Sequence, residues 1–131
     1  MNSKIESLYQ SIGQDALNVA TALGGRLLIY SEVESGVASA DIFYVEEGSD
    51  AIRFRFAPPS LQEQVYSLWT EWRKHPENRE WRAMSYVVDA GKFTIDLTYP
   101  DQLVSGEALS DRRPRVVHKY FGDKKVNYSM P

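Results

Sequence analysis

The stretch RLLIYSEVESGVASADIFYVEEGSDAIRFRFA, residues 26–57, decides the fold class. It divides into three extended runs separated by turn signals. Arg26 to Glu34 is rich in β-branched and aromatic residues, and Ser35-Gly36 follows as a short turn. Val37 to Glu47 is the second run, closed by Gly48-Ser49-Asp50. In the third, Ala51 to Ala57, Ile52, Phe54 and Phe56 point one way and Arg53 and Arg55 the other. That alternation describes a strand with one buried face. Three strands joined by short turns make an antiparallel meander.

Helical signals bracket the meander. Ser3 and Glu6 have capping-box spacing, and Ile5, Leu8, Ile12, Ala16, Val19 and Leu23 recur at helical intervals up to Gly24-Gly25. Gly13 lies inside this helix, where it costs about 1 kcal/mol relative to alanine. Beyond Pro58-Pro59, Ser60 and Glu63 repeat the capping-box spacing, and Leu61, Val65, Leu68, Trp69 and Trp72 form one helical stripe ending by His75-Pro76. Trp81 to Asp89 and Lys92 to Tyr99 then read as a hairpin around Ala90-Gly91. A last helix is expected from Ser110 to Phe121, with Gly122 as its stop and Pro114 near its start. The expectation is one α+β domain over residues 1–131. An antiparallel sheet of about five strands, a three-strand meander plus a hairpin, packs with N-terminal, central and C-terminal helices. The ordered core spans about 3–122, and 123–131 forms a loose tail.

At 131 residues, the chain suits a single domain able to bury its own core. It contains no cysteine, which excludes disulfides, thiolate metal sites and a cysteine nucleophile, and fits a reducing cytoplasm. The opening MNSKIESLYQ lacks a signal-peptide pattern, and no apolar run approaches the ~18 residues of a membrane span.

The net charge of −3 conceals an asymmetry. From Arg112 onward there are six basic residues and one acid, whereas residues 1–111 carry a net of −8. Glu32, Glu34, Asp41, Glu46, Glu47 and Asp50 crowd residues 27–52, which contain no base. They read either as a solvated face or as a surface that attracts a cationic partner.

Searching for chemistry excludes more than it finds. His75 and His118 stand in no H-x-x-x-H or H-E-x-x-H arrangement. Gly24-Gly25 precedes a strand, the reverse of a dinucleotide fingerprint. Glu46-Glu47, Asp89 and Asp96 could pair for acid–base work, but exposed strand acids are the simpler account. Arg112, Arg113, Arg115, Lys119, Tyr120 and Phe121 mix bases with aromatics, as single-stranded nucleic-acid binders do. The acidic remainder would repel phosphate, which favours a helix packing by Val116, Val117, Tyr120 and Phe121, with its bases exposed or paired to the acidic body. No catalytic residue, metal ligand or cofactor is assigned.

One arrangement is more specific. Trp81 opens a strand, and Asp89-Ala90-Gly91-Lys92-Phe93-Thr94-Ile95-Asp96 carries the hairpin, with Tyr99 after it. Ser110-Asp111-Arg112-Arg113 starts a helix, and Lys119-Tyr120-Phe121-Gly122 ends it. In order and spacing this resembles the YezG-like family of bacterial immunity proteins over roughly residues 3–122. The resemblance implies a cytoplasmic protein that binds the C-terminal domain of a cognate toxin, often a nuclease, and blocks its active site or substrate path. Two other classes stay open: a secretion chaperone or regulatory adaptor, and a small enzyme.

Overall fold

In the computed structural model, described residues are 3–20, 26–34, 37–45, 51–89, 92–103, 109–122 and 124–127. Helix α1 (Ser3–Ala20) leads into strands β1 (Leu27–Glu34), β2 (Val37–Val45) and β3 (Ile52–Phe56). Helix α2 (Pro59–Arg73) is followed by β4 (Ala83–Asp89) and β5 (Lys92–Thr98). A 3-10 turn at Pro100–Gln102, helix α3 (Leu109–Phe121) and a short β6 (Val126–Asn127) complete the order. The expected turns at Gly24-Gly25, Ser35-Gly36, Gly48-Ser49-Asp50 and Ala90-Gly91 lie outside the described residues.

The chain is an α+β fold, with the sheet in the order β5-β4-β1-β2-β3-β6. β1, β2 and β3 form the expected meander, with Leu27 opposite Tyr44 and Phe43 opposite Phe54. The β4–β5 hairpin joins through β1, with Leu27 opposite Val88. β1 is therefore an interior strand, which explains its unbroken apolar start: Leu27, Leu28, Ile29 and Tyr30 are all buried.

The sheet has a helical layer on each side. Leu27, Ile29, Ile42, Tyr44, Met84 and Tyr86 pack with Ile12 and Ala16 of α1 and Leu61, Val65, Leu68 and Trp69 of α2. On the other face, Leu28, Tyr30, Phe43, Ile52 and Phe54 pack with Val117 and Phe121 of α3. Trp69 Nε1 donates to the Trp81 carbonyl at 2.8 Å, tying α2 to the segment entering β4.

Three details depart from expectation. The capping box of Ser60 and Glu63 does not form: Pro58 is the N-cap, without a side-chain hydrogen bond, and its carbonyl accepts from Leu61 and Gln62 N–H at 3.0 and 3.2 Å. Pro59 takes the first helical position, where its fixed φ and missing N–H cost nothing. The five antiparallel strands are those expected, and a sixth is added: Val126–Asn127, within the segment expected to be loose, runs parallel to β3, and Ile52 N–H donates to the Lys125 carbonyl at 2.9 Å. Phe56 shares the face of Ile52 and Phe54 but is 62% exposed, its ring edge-on to Phe54 at 4.8 Å. Pro114 lies within α3, and Gly122 ends that helix with φ +70° and an N–H to the His118 carbonyl at 2.8 Å.

Candidate binding surface

The basic C-terminal helix and the acidic strands meet each other. On α3, Arg113, Val117 and Phe121 make one row at four-residue spacing, and Arg112, Val116 and Tyr120 the next. Both rows change from charged to apolar along the helix. The facing strands match them: β1 presents Leu28, Tyr30 and Glu32 in succession, and β2 presents Phe43 and Asp41. Arg112 Nη1 reaches Glu32 Oε2 at 2.6 Å, with Arg112 only 9% exposed. Arg113 Nη1 donates to Asp41 Oδ2 at 3.0 Å. Tyr30 Oη donates to Glu32 Oε2 at 2.7 Å, so the carboxylate has a second partner inside the seam.

Weaker contacts hold the opposite end. Arg26 donates to Asp89 at 3.0 and 2.9 Å and also to the Tyr120 carbonyl, placing a cation at the negative end of the helix. Lys119 Nζ and Tyr120 Oη both donate to Asp96 Oδ2 at 3.1 Å. These groups are half exposed, and such pairs contribute roughly 0–1 kcal/mol each.

Burial raises the phenol of Tyr30, and its hydrogen bond to Glu32 raises it further, against a smaller opposing influence of Arg112. Burial pushes Tyr86 up to about 12 from an ordinary 10.0. A raised tyrosine pKa means that the unfolded chain ionises first. Its contribution is intact below pH 10 and is lost as pH rises towards 12. Denaturant titrations across that window should show falling stability, with a shallower fall in Tyr86→Phe; an equal slope in both chains would remove Tyr86 as a cause.

Glu32 and Asp41 belong to the six carboxylates read either as a solvated face or as a surface for a cationic partner. Both lie in the seam, paired with Arg112 and Arg113. The two arginines, expected either exposed or paired to the acidic body, are paired. Glu34 lies on β1, but its side chain is outside the described residues, as are Glu46, Glu47 and Asp50 entirely. Asp89 and Asp96 are held by Arg26 and by Lys119 with Tyr120 and do not form a carboxylate pair. His75 Nδ1 lies 3.9 Å from Glu77, and His118 is exposed on α3. Among the described residues no group of three or more His, Asp or Glu is placed to hold a metal ion, and no helix is long and apolar enough to cross a membrane.

A cleft of about 630 Å³ lies between β2 and α2, lined by Val37, Ala38, Pro59, Gln62, Glu63, Tyr66 and Ser67. It exists because β2 outlasts β3. The last ladder pair is Asp41 with Phe56, after which Pro58-Pro59 carries the chain off the sheet into α2. The Ala57 N–H still reaches the Ala40 carbonyl at 3.4 Å, and beyond it the edge of β2 faces the cleft. Val37, 66% exposed, stands at its rim. Sequence reasoning assigned none of these residues to a site; the one available signal was the double proline beside a strand shorter than its neighbour. No known family model matches the chain, and no curated protein matches it.

Proposed function

We propose that the chain is an immunity protein, a non-enzymatic inhibitor that binds a cognate bacterial toxin domain in the cytoplasm. The toxin is a nuclease, and binding blocks its active site or substrate path. One observation carries this reading. Of the positions that resemble the immunity family, Trp81, Phe93, Ile95 and Tyr99 pack on the α1–α2 side of the sheet, whereas the charged ones, with Tyr120, meet around α3. Asp89 binds Arg26, Asp96 binds Lys119 and Tyr120, and Arg112 and Arg113 bind Glu32 and Asp41. Such convergence suits a shared framework that leaves other surfaces to vary with the partner. A nuclease concentrates positive charge where it holds phosphate. Glu34 at the end of β1, and Glu46, Glu47 and Asp50, which follow β2 in the sequence, are the acids of that segment left to oppose it.

Co-expression with the neighbouring reading frame tests the reading. That frame should be toxic alone and harmless with this protein. Reversing Glu46 and Glu47 to lysine should slow association by roughly tenfold at low ionic strength and less at high. A harmless frame, or toxicity that persists beside this protein, would end the proposal; an unchanged association rate would remove these two acids from the interface.

A further inference from the structure

The two edges of the sheet differ. β6 pairs with Ile52 and Arg53 of β3, whereas among the described residues nothing pairs with the outer side of β5. The register shows what that side offers. The Val33 N–H reaches the Arg82 carbonyl at 2.9 Å, so even-numbered residues of β4 turn their backbone groups towards β1. Odd-numbered residues then serve β5, where their partners are Lys92, Thr94, Asp96 and Thr98. The N–H and C=O groups of Phe93, Ile95 and Leu97 are left pointing outward. β5 carries no proline, and its two charges, Lys92 and Asp96, both lie on the α3 face, which leaves the Phe93, Ile95 and Leu97 face uncharged. Phe93, stacked on Tyr86 at 5.4 Å, is 47% exposed.

We infer that β5 is a self-association surface, pairing antiparallel with β5 of a second copy about a two-fold axis through Ile95. The sequence KFTIDLT is self-complementary in that register. All three outward-facing residues are used, giving about six backbone hydrogen bonds across the axis. On the α1–α2 face, Phe93 meets the partner's Leu97, and Ile95 meets the partner's Ile95. On the α3 face, Thr94 meets the partner's Asp96, and Lys92 meets the partner's Thr98, so no like charges stand opposed. Sliding two residues towards Thr98 would set Asp96 against the partner's Asp96 and lose that balance. A strand edge alone buries less than the roughly 1,600 Å² of a standard stable interface, so association depends on protein concentration.

The chain's lack of cysteine makes the test clean. Opposed residues of a hydrogen-bonded antiparallel pair lie about 5.5 Å apart between Cα atoms, within disulfide reach. Under mild oxidation, Ile95→Cys should form a covalent dimer at least about tenfold faster than Thr70→Cys, placed on an exposed site of α2. In the unaltered chain, amide exchange at Phe93, Ile95 and Leu97 should slow as protein concentration rises. Equal cross-linking rates would overturn the proposal, as would fast exchange that ignores concentration. Protection appearing only when a toxin domain is added would also overturn it and give the edge to that partner. Equal cross-linking or concentration-independent exchange would leave the toxin-neutralising reading untouched, so failure of the two is distinguishable.

Discussion

Replacing Arg112 by alanine should destabilise the fold by about 3 kcal/mol, because it leaves a partly buried carboxylate without its counter-ion. Glu32 is 20% exposed at its side chain and lies 2.6 Å from the guanidinium. After the change, Tyr30 Oη still donates to Glu32, which keeps the loss below the largest values known for broken buried pairs. The informative comparison is the double variant Glu32→Leu/Arg112→Leu. Removing both charges avoids the uncompensated ion, so it should lie within about 1 kcal/mol of the parent. Urea titrations of the parent, Glu32→Leu, Arg112→Leu and the double variant give the coupling energy directly. If Arg112→Ala costs no more than an exposed pair, below about 1 kcal/mol, the seam does not hold α3.

The second large effect is expected at Gly13. By helix propensity alone, Gly13→Ala should gain about 1 kcal/mol. The opposite outcome is expected, a loss of roughly 1–3 kcal/mol from overpacking. A Cβ at this position would sit 3.2 Å from Cζ of Tyr86 and closer still to its hydroxyl oxygen. That hydroxyl donates to the Tyr9 carbonyl at 2.7 Å, one turn earlier on α1, and the ring stacks on Phe93, so it has little room to retreat. Removing the oxygen should relieve the overlap. Gly13→Ala/Tyr86→Phe should therefore be more stable than the sum of its single changes predicts. Thermal melts suffice, since 1 kcal/mol moves Tm by roughly 3–5 °C in a domain of this size. A Gly13→Ala chain that melts higher than the parent would refute the close approach.

What the sequence made legible follows from range. Alternation in Ile52-Arg53-Phe54-Arg55-Phe56 and helical spacing from Leu61 to Trp72 are local patterns, and both elements formed. The β1–β4 pairing is not local: Leu27 and Val88 are joined only by the final register. Its one sign was the continuous apolar run Leu27 to Tyr30, the mark of a strand covered on both faces. Ser60 carried the right spacing for a cap, but Pro59 beside it suits the first helical turn better. The candidate surface was less legible. Counting acids finds charge but not partners, and Arg112 lies far along the chain from the Glu32 that it neutralises. Phe56 illustrates the same limit: alternation set its face correctly, but not how far α3 would reach over it.

The placement of β1 also bears on how the chain emerges from the ribosome. Its first neighbour, β2, follows at once, but its second is β4, and Leu27 waits for Val88. At about 5–20 residues per second, that interval leaves an unpaired Leu-Leu-Ile-Tyr edge for roughly 3–12 s. A nascent chain in that state exposes its stickiest strand before the hairpin that shields it has been made. Exposure of that edge is therefore greatest during synthesis and ends when β4 pairs with it.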